Sequence, residues 1–351
     1  MPPRLRPSRL TPPYLAAAVF RRTLLEALGR RQLGVAAALV NIRHACPGFF
    51  QFSWENGAPQ HETVASLEFR GDRCVLGLNR DLAGTRLRYV LGRLIPLFGL
   101  LAGCRGEAAG SIALNLEDFG LVPGLAFSDC EPDRPLIPDP IYLSQRGYRR
   151  IARHYLKNDV PWPKRKDVAL WRGSTTGMEY VPGNWRAMER VRLCAIAQSR
   201  PDLFDVGLAG IVQMNAADRA DVLASGLMRD FIPETEFIRW RYQIDIDGNS
   251  NSWPGLFQKL LTGSPVLKVA SRRGYRQWYY DRLAPWENFV PVETDMSDLV
   301  EKVEWLKGHD AEARRIGAAG RALALSMSFD EECANARRTI VSALRKERAA
   351  A

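Results

Sequence analysis

Between Tyr242 and Val269 the chain reads YQIDIDGNSNSWPGLFQKLLTGSPVLKV, and this stretch restricts the fold more than any other. Tyr242 to Ile246 alternate and are rich in β-formers, so they read as a strand. Gly248 follows among Asp247, Asn249, Ser250, Asn251 and Ser252, the composition of an exposed turn. Trp253, Phe257, Leu260 and Leu261 then fall at helical spacing, with Pro254 suited to a first helical position and Gly263 to the stop before the apolar strand Pro265 to Val269. A helix opening directly after a polar glycine turn offers unpaired N–H groups and a partial positive charge, which suits an anionic diphosphate. Turns of this composition also join strands to helices with no ligand, so pattern alone leaves both readings open.

The same alternation of strand and helix extends in both directions. Tyr14 to Leu28 reads as a helix, and Phe49 to Trp54, Val64 to Phe69 and Cys74 to Leu78 as strands, the last two joined into a hairpin by Arg70-Gly71-Asp72. Leu87, Leu91, Leu94, Phe98 and Leu101 mark an amphipathic helix with a kink at Pro96. Ser111 to Leu116 and Leu121 to Phe127 read as strands, and Gln145 to Lys157 as a helix. Further on come the strand Asp167 to Trp171, helices Arg186 to Gln198 and Ala217 to Leu227, and the short strand Phe204 to Val206. After Phe289 to Val292, Ser297 suits the cap of a helix carrying Asp298, Leu299, Val303 and Leu306, and Ala311 to Met327 and Asp330 to Glu347 close the chain as helices.

The prolines and charges of 158–166 read as a solvated linker between two Rossmann-like domains, 1–157 and 167–327, with 328–351 as a C-terminal helix returning to the first domain. The expected class is therefore α/β, with two such domains facing a cleft.

Charge and cysteine content narrow the functional classes. Lys and Arg number 49 against 39 Asp and Glu, a formal +10, and Arg4, Arg6, Arg9, Arg21, Arg22, Arg30 and Arg31 face only Glu26 at the start. That arm is either a solvated face or a peripheral contact with an anionic membrane, and no nucleic-acid motif accompanies it. The apolar runs fall short of the roughly 18 residues that a membrane helix needs. Cys46, Cys74, Cys104, Cys130, Cys194 and Cys333 lack Cys-x-x-Cys spacing, so they read as reduced, mostly buried thiols of a cytoplasmic protein, peripheral at most to the inner face of the membrane.

Three segments hold candidate chemistry. Asp118 and Glu117 end a strand that follows a helix, where open α/β sheets place ligands, although on spacing alone Asp118 more readily caps the following turn or pairs with a nearby Arg. Arg172, Gly173, Ser174 and Thr175 close another strand and can offer a guanidinium fork and amides to phosphate oxygens, or Arg172 can pair with an aspartate. Asp245 and Asp247 imitate a metal-ligand pair on one face of a strand, and a structural or ribose-facing role is the other reading.

The chain resembles glycosyltransferase family 90, the CAP10-like family with the protein O-glucosyltransferases and fungal capsule xylosyltransferases. The resemblance is carried by Trp171-Arg172-Gly173-Ser174-Thr175, by Leu114-Asn115-Leu116-Glu117-Asp118-Phe119, and by Gly263-Ser264, Trp278-Tyr279-Tyr280, Pro285-Trp286, Val290-Pro291-Val292 and Thr294-Asp295. It runs from about Ile112 to Ser326. It implies a GT-B arrangement and an inverting, metal-independent transferase with no cofactor, moving a sugar from a UDP-sugar to a glycan acceptor in lipopolysaccharide or capsule synthesis. It also implies Asp118 as catalytic base, and Arg172, Gly173, Ser174, Thr175, Gly248, Asn249, Ser250, Ser252 and Lys259 as nucleotide-sugar ligands. Glu117 stands where glucosyltransferase relatives have Arg. Pro254 and Gly255 stand where some relatives carry Arg early in the helix, which leaves Lys259 as the nearest cation. A non-catalytic nucleotide- or glycan-binding protein that recruits anionic partners through its basic arm is the alternative.

Overall fold

The computed structural model describes residues 31–43, 48–55, 61–82 and 84–350. The expected helix Tyr14 to Leu28, most of the basic arm, His44 and Cys46 lie outside the described residues. A helix that periodicity did not disclose, α1 (Arg31–Arg43), precedes the first strands. Four strands follow: β1 (Phe50–Glu55), β2 (Val64–Arg70), β3 (Arg73–Asn79) and β4 (Gly110–Asn115). They form a sheet of order β1-β3-β2-β4, in which β1 and β3 are parallel while β2 runs antiparallel to β3 and β4. The Arg70–Arg73 hairpin is present as expected. The first sheet is thus mixed rather than wholly parallel, because a tight two-residue turn can join only antiparallel strands.

The helix over 87–101 is interrupted at the expected place. It comprises α2 (Gly84–Leu94), a 3-10 turn (Ile95–Leu97) and α3 (Phe98–Ala102), since Pro96 has no N–H to continue the α-helical ladder. Leu121 to Phe127 does not form a strand, contrary to the sequence reading. The fully buried Asn115 amide receives the N–H groups of Leu121 and Val122 at 2.8 and 3.0 Å and donates to the carbonyls of Val122 and Leu125, both at 3.0 Å. One side chain satisfies the backbone that a ladder would otherwise pair. The helix expected over 145–157 is also shorter. Positive φ at Arg146, Gly147 and Tyr148 separates α4 (Pro140–Ser144) from α5 (Arg149–Lys157). The run 158–166 is not purely solvated, because Arg165 is buried against Ser264 and Val160.

The second half is a five-stranded sheet, all parallel, built from β5 (Lys166–Ser174), β6 (Phe204–Gly210), β7 (Trp240–Asp245), β8 (Val266–Val269) and β9 (Val290–Val292) in the order β6-β5-β7-β8-β9. The chain leaves β5 for one side and returns to the other with β7, which makes the carboxyl ends of β5 and β7 a topological switch point. Helix α6 (Glu189–Gln198) packs on β6, α7 (Ala216–Ala224) follows it, and α8 (Pro254–Leu261) packs on β7 and β8. Helix α9 (Leu299–Gly308) lies on β9. Its cap position is Asp298 rather than Ser297, because the Asp295 carboxylate takes the Ser297 N–H at 2.9 Å in a local turn.

Two cores hold these layers. Trp171, Ile244, Leu267, Val292 and Leu306 belong to the core of the second sheet. The core of the first half extends across the molecule into Trp253, Phe257 and Leu260 of the α8 region. Tyr142, Tyr148 and Tyr279 pack their rings around Phe257, which gives Trp278-Tyr279-Tyr280 a structural place. Helix α10 (Asp310–Ser326) packs on α8, and α11 (Phe329–Ala350) crosses back onto β4 and α3. Among the described residues, no helix is long and apolar enough to cross a membrane.

Candidate functional site

A cleft of about 370 Å³ opens at the switch point. Its walls are the carboxyl end of β5 (Arg172, Gly173, Ser174), the end of β6 (Gly210), Ile246 after β7, and Ser252, Gly255 and Lys259 at the opening turn of α8. This volume lies within the range of small-molecule sites. Three cations, Arg172, Arg190 and Lys259, face Glu234 as the lining carboxylate.

The three cations are not equivalent. Arg172 is 7% exposed and pairs with the Asp205 carboxylate, while its remaining N–H groups go to the carbonyls of Asp205, Trp171 and Asp230. Lys259 donates to Asp245 at 2.8 Å, and both are buried. Arg190, on α6, is held by neutral acceptors: the carbonyls of Asp247 at 2.7 Å, Ser174 at 3.3 Å and Ile246 at 3.3 Å, and the Thr176 hydroxyl. No carboxylate hydrogen-bonds it, although Asp245, Asp247 and Glu189 lie near enough to act on its charge. Sequence reasoning missed it, although a signal exists, since Arg190 shares a helix face with the buried Cys194 and Ala197.

Asp245 anchors the base of the cleft. It accepts from Ser252 Oγ and Lys259 Nζ, and Lys268 Nζ on β8 stands 3.5 Å from its other oxygen and 3.8 Å from Asp247. Register places Asp245 opposite Lys268, so the ion pair bridges adjacent strands. Burial alone would push the Asp245 carboxyl up, but Lys259 and Lys268 together with the hydroxyl hold it well below the usual carboxylate range. Burial pushes Asp247 up, with Lys268 offsetting only part of that. Among the described residues, no three His, Cys, Asp or Glu side chains gather as a metal site would require.

The polar turn has a different place from the one expected of it. Asn249 donates to Asp118 Oδ2 at 3.0 Å, Ser250 Oγ to the Asp118 carbonyl at 2.6 Å, and Asn251 accepts from Ser128 Oγ at 2.7 Å. These three side chains stitch the second half to the first, and none of them lines the cleft. Gly248 is glycine for space, because a Cβ there would lie 2.8 Å from Thr176 Oγ1 and 2.9 Å from the Arg190 guanidinium. Ser252 remains on the cleft wall and is oriented by Asp245. Thr175 is fully buried, and its hydroxyl binds both the carbonyl and the N–H of Val212, so it ties β5 to the segment after β6.

Asp118 sits at the seam with its side chain 26% exposed, and Arg93 Nη2 binds its Oδ1 at 2.6 Å. Glu117 is engaged separately, by Arg86 at 2.7 Å and by the Tyr89 hydroxyl. Both carboxylates lie in the bend just beyond β4 rather than in the strand itself, and each has its own partners. Of the described cysteines, Cys74, Cys104, Cys194 and Cys333 are buried free thiols and Cys130 is exposed. Burial pushes the Cys74 and Cys194 thiols up to about 12.

Fold and cleft define a two-sheet α/β protein with a cationic ligand site at the switch point of its parallel sheet. The chain belongs to glycosyltransferase family 90, whose family model matches residues 150–330, just over half of its length. It is 33% identical over 162 residues to protein O-glucosyltransferase 3 of Rattus norvegicus, a match covering 46% of this chain and 28% of the relative. With protein O-glucosyltransferase 2 of Danio rerio it shares 29% identity over 164 residues, covering 46% of this chain and 29% of that protein. The chain thus spans under a third of the length of these relatives. Among solved structures it is similar to TarM, with a TM-score of 0.37 and 11% identity over 52% of this chain and 37% of that one. The family match contains every cleft residue, whereas Asp118 lies outside it.

Proposed function

We propose that the protein is a metal-independent, inverting glycosyltransferase that moves a sugar from a nucleoside diphosphate sugar, a UDP-sugar, to a hydroxyl of an acceptor glycan. The observation that carries the reading is the Arg190 guanidinium, whose hydrogen bonds go to neutral oxygens, in a cleft at the switch point beside the opening turn of α8. A diphosphate leaving group gathers negative charge as the glycosidic bond breaks, and a fixed cation and helix amides in a water-poor cleft stabilise that charge. Ser174, Gly173 and Ser252 border the same space and supply neutral polar contacts. Support for a metal-free site comes from Asp245, whose charge already faces two lysines. In this reading Asp118 removes the acceptor proton while the anomeric carbon is attacked from the face opposite the diphosphate. Placing the acceptor in lipopolysaccharide or capsule rests on family resemblance alone.

The test combines binding with turnover. In a thermal-shift panel of nucleotide sugars, UDP-sugars are expected to stabilise the protein, by about 2.7 kcal/mol at 100 times the dissociation constant. UDP release in the presence of envelope glycans is then expected to fall by roughly 10² to 10⁴ in Asp118→Asn, with UDP affinity little changed. Nucleotide binding without turnover on any glycan would instead identify a binding module. Turnover that survives Asp118→Asn and collapses in Glu117→Gln would transfer the role of base to Glu117.

A further inference from the structure

The turn that opens α8 reaches the carboxylate at the seam by two routes. Asn249 donates directly to Asp118 Oδ2 at 3.0 Å. Trp253, held at φ 28°, places its ring 4.6 Å from the Arg93 guanidinium, which stacks on Tyr89 at 4.0 Å and binds Asp118 Oδ1. We infer that Asn249 is a positioning residue for Asp118, acting across the seam, with Trp253 securing Arg93, so that the alignment of the base depends on the turn leading into the donor helix. The inference rests on the reading of Asp118 as the base.

Each carboxylate oxygen can accept two hydrogen bonds, so one from Arg93 and one from Asn249 fix the plane of the group and leave a lone pair on each oxygen for an acceptor hydroxyl. The partner types matter. Arg93 pairs with the carboxylate by charge, whereas the neutral Asn249 amide orients it without adding a second charge. The charged groups around Asp118 are Arg93 on α2 and the neighbouring Glu117, itself bound by Arg86 and Tyr89, while the opposite side presents the neutral Asn249. Asn249 and the cleft residue Ser252 belong to one short turn, so the base and the cleft wall share a support.

The experiment measures UDP release from UDP-glucose with glycerol as acceptor in wild type, Asn249→Ala, Asn249→Asp, Asp118→Asn and the double variant Asp118→Asn/Asn249→Ala. Asn249→Ala is expected to lower kcat by about 10- to 100-fold, the worth of a hydrogen bond to a charged group, while KM for UDP-glucose stays within about threefold. The isosteric Asn249→Asp, which sets a second carboxylate against the first, is expected to lower kcat at least as far, again with KM for UDP-glucose little changed. The double variant is no slower than Asp118→Asn alone, because both changes act through one group. A raised KM with unchanged kcat in Asn249→Ala would overturn the inference and return Asn249 to the donor site. A fall in kcat that is additive with Asp118→Asn in the double variant would overturn it as well. Undiminished turnover in Asp118→Asn is a separate result that removes the base reading itself.

Discussion

Arg172 and Arg190 both border the cleft, and their environments assign them different consequences on removal. Arg190→Ala takes away a guanidinium held only by neutral oxygens, so UDP affinity measured by calorimetry is expected to fall by one to two decades, about 1.5–3 kcal/mol. Arg172→Ala strips the partner of Asp205, so it is expected to lower the melting temperature and change UDP affinity by less than about threefold. The reverse ranking would make Arg172 the diphosphate ligand after all. Glu189, beside Arg190, gives a pH signature. Burial, then Glu179 and Asp247, push its carboxyl up from 4.5 to about 7. The folded protein therefore keeps a proton that the unfolded chain releases, and this group's contribution erodes stability as pH rises from about 4.5 to about 7. Glu189→Gln is expected to stabilise the protein relative to wild type at pH 8 and to be neutral at pH 4. Equal offsets in urea unfolding at both pH values would contradict this assignment.

At the scale of elements, Asn115 decides whether the chain after β4 is a strand or a folded loop. Its amide makes four hydrogen bonds to the backbone of 121–125 while fully buried. Asn115→Ala leaves the Leu121 and Val122 N–H groups without their partner, while the Val122 and Leu125 carbonyls keep Arg134 Nη1 and the N–H of residue 115, and it is expected to cost about 2–4 kcal/mol in urea unfolding. A loss under about 0.5 kcal/mol would mean that the loop finds other partners or water. Helix α8 shows the complementary case, a short element whose sequence suffices to form it. Pro254 opens it, Gly263 at φ 71° ends it, and every residue from Leu256 to Leu261 is buried.

For the whole molecule, the second sheet, the seam and the returning α11 form one frame. The Asp129 and Arg276 backbones exchange two hydrogen bonds across the halves, at 3.2 and 2.9 Å. Glu332 of α11 receives Arg282 at 2.7 Å and Trp278 at 3.1 Å. The cleft in this frame carries its positive charge on side chains, and Asp245 is occupied by Lys259 and Lys268. Turnover is therefore expected to survive EDTA. Loss of activity on chelation, restored by Mn²⁺ or Mg²⁺, would assign Asp245 and Asp247 as ligands and displace the diphosphate model.

The amino-acid sequence by itself determined the strand–turn–helix units, the hairpin at Gly71, the break at Pro96 and the α/β class. Each rests on contacts within a few residues, where side-chain period and the backbone limits of Gly and Pro act directly. It also located the segments that border the cleft, since Gly173, Ser174, Ser252 and Lys259 all line it. Only the tertiary structure decided which polar groups remain available there. Asn249 meets Asp118 across 131 positions, Arg172 meets Asp205 across 33, and Asn251 meets Ser128 across 123. A buried donor or acceptor must be paired, but its partner is chosen by packing over the whole chain. Local pattern therefore reveals that a turn is polar, and the assembled fold decides whether its side chains face a ligand or the other half of the protein.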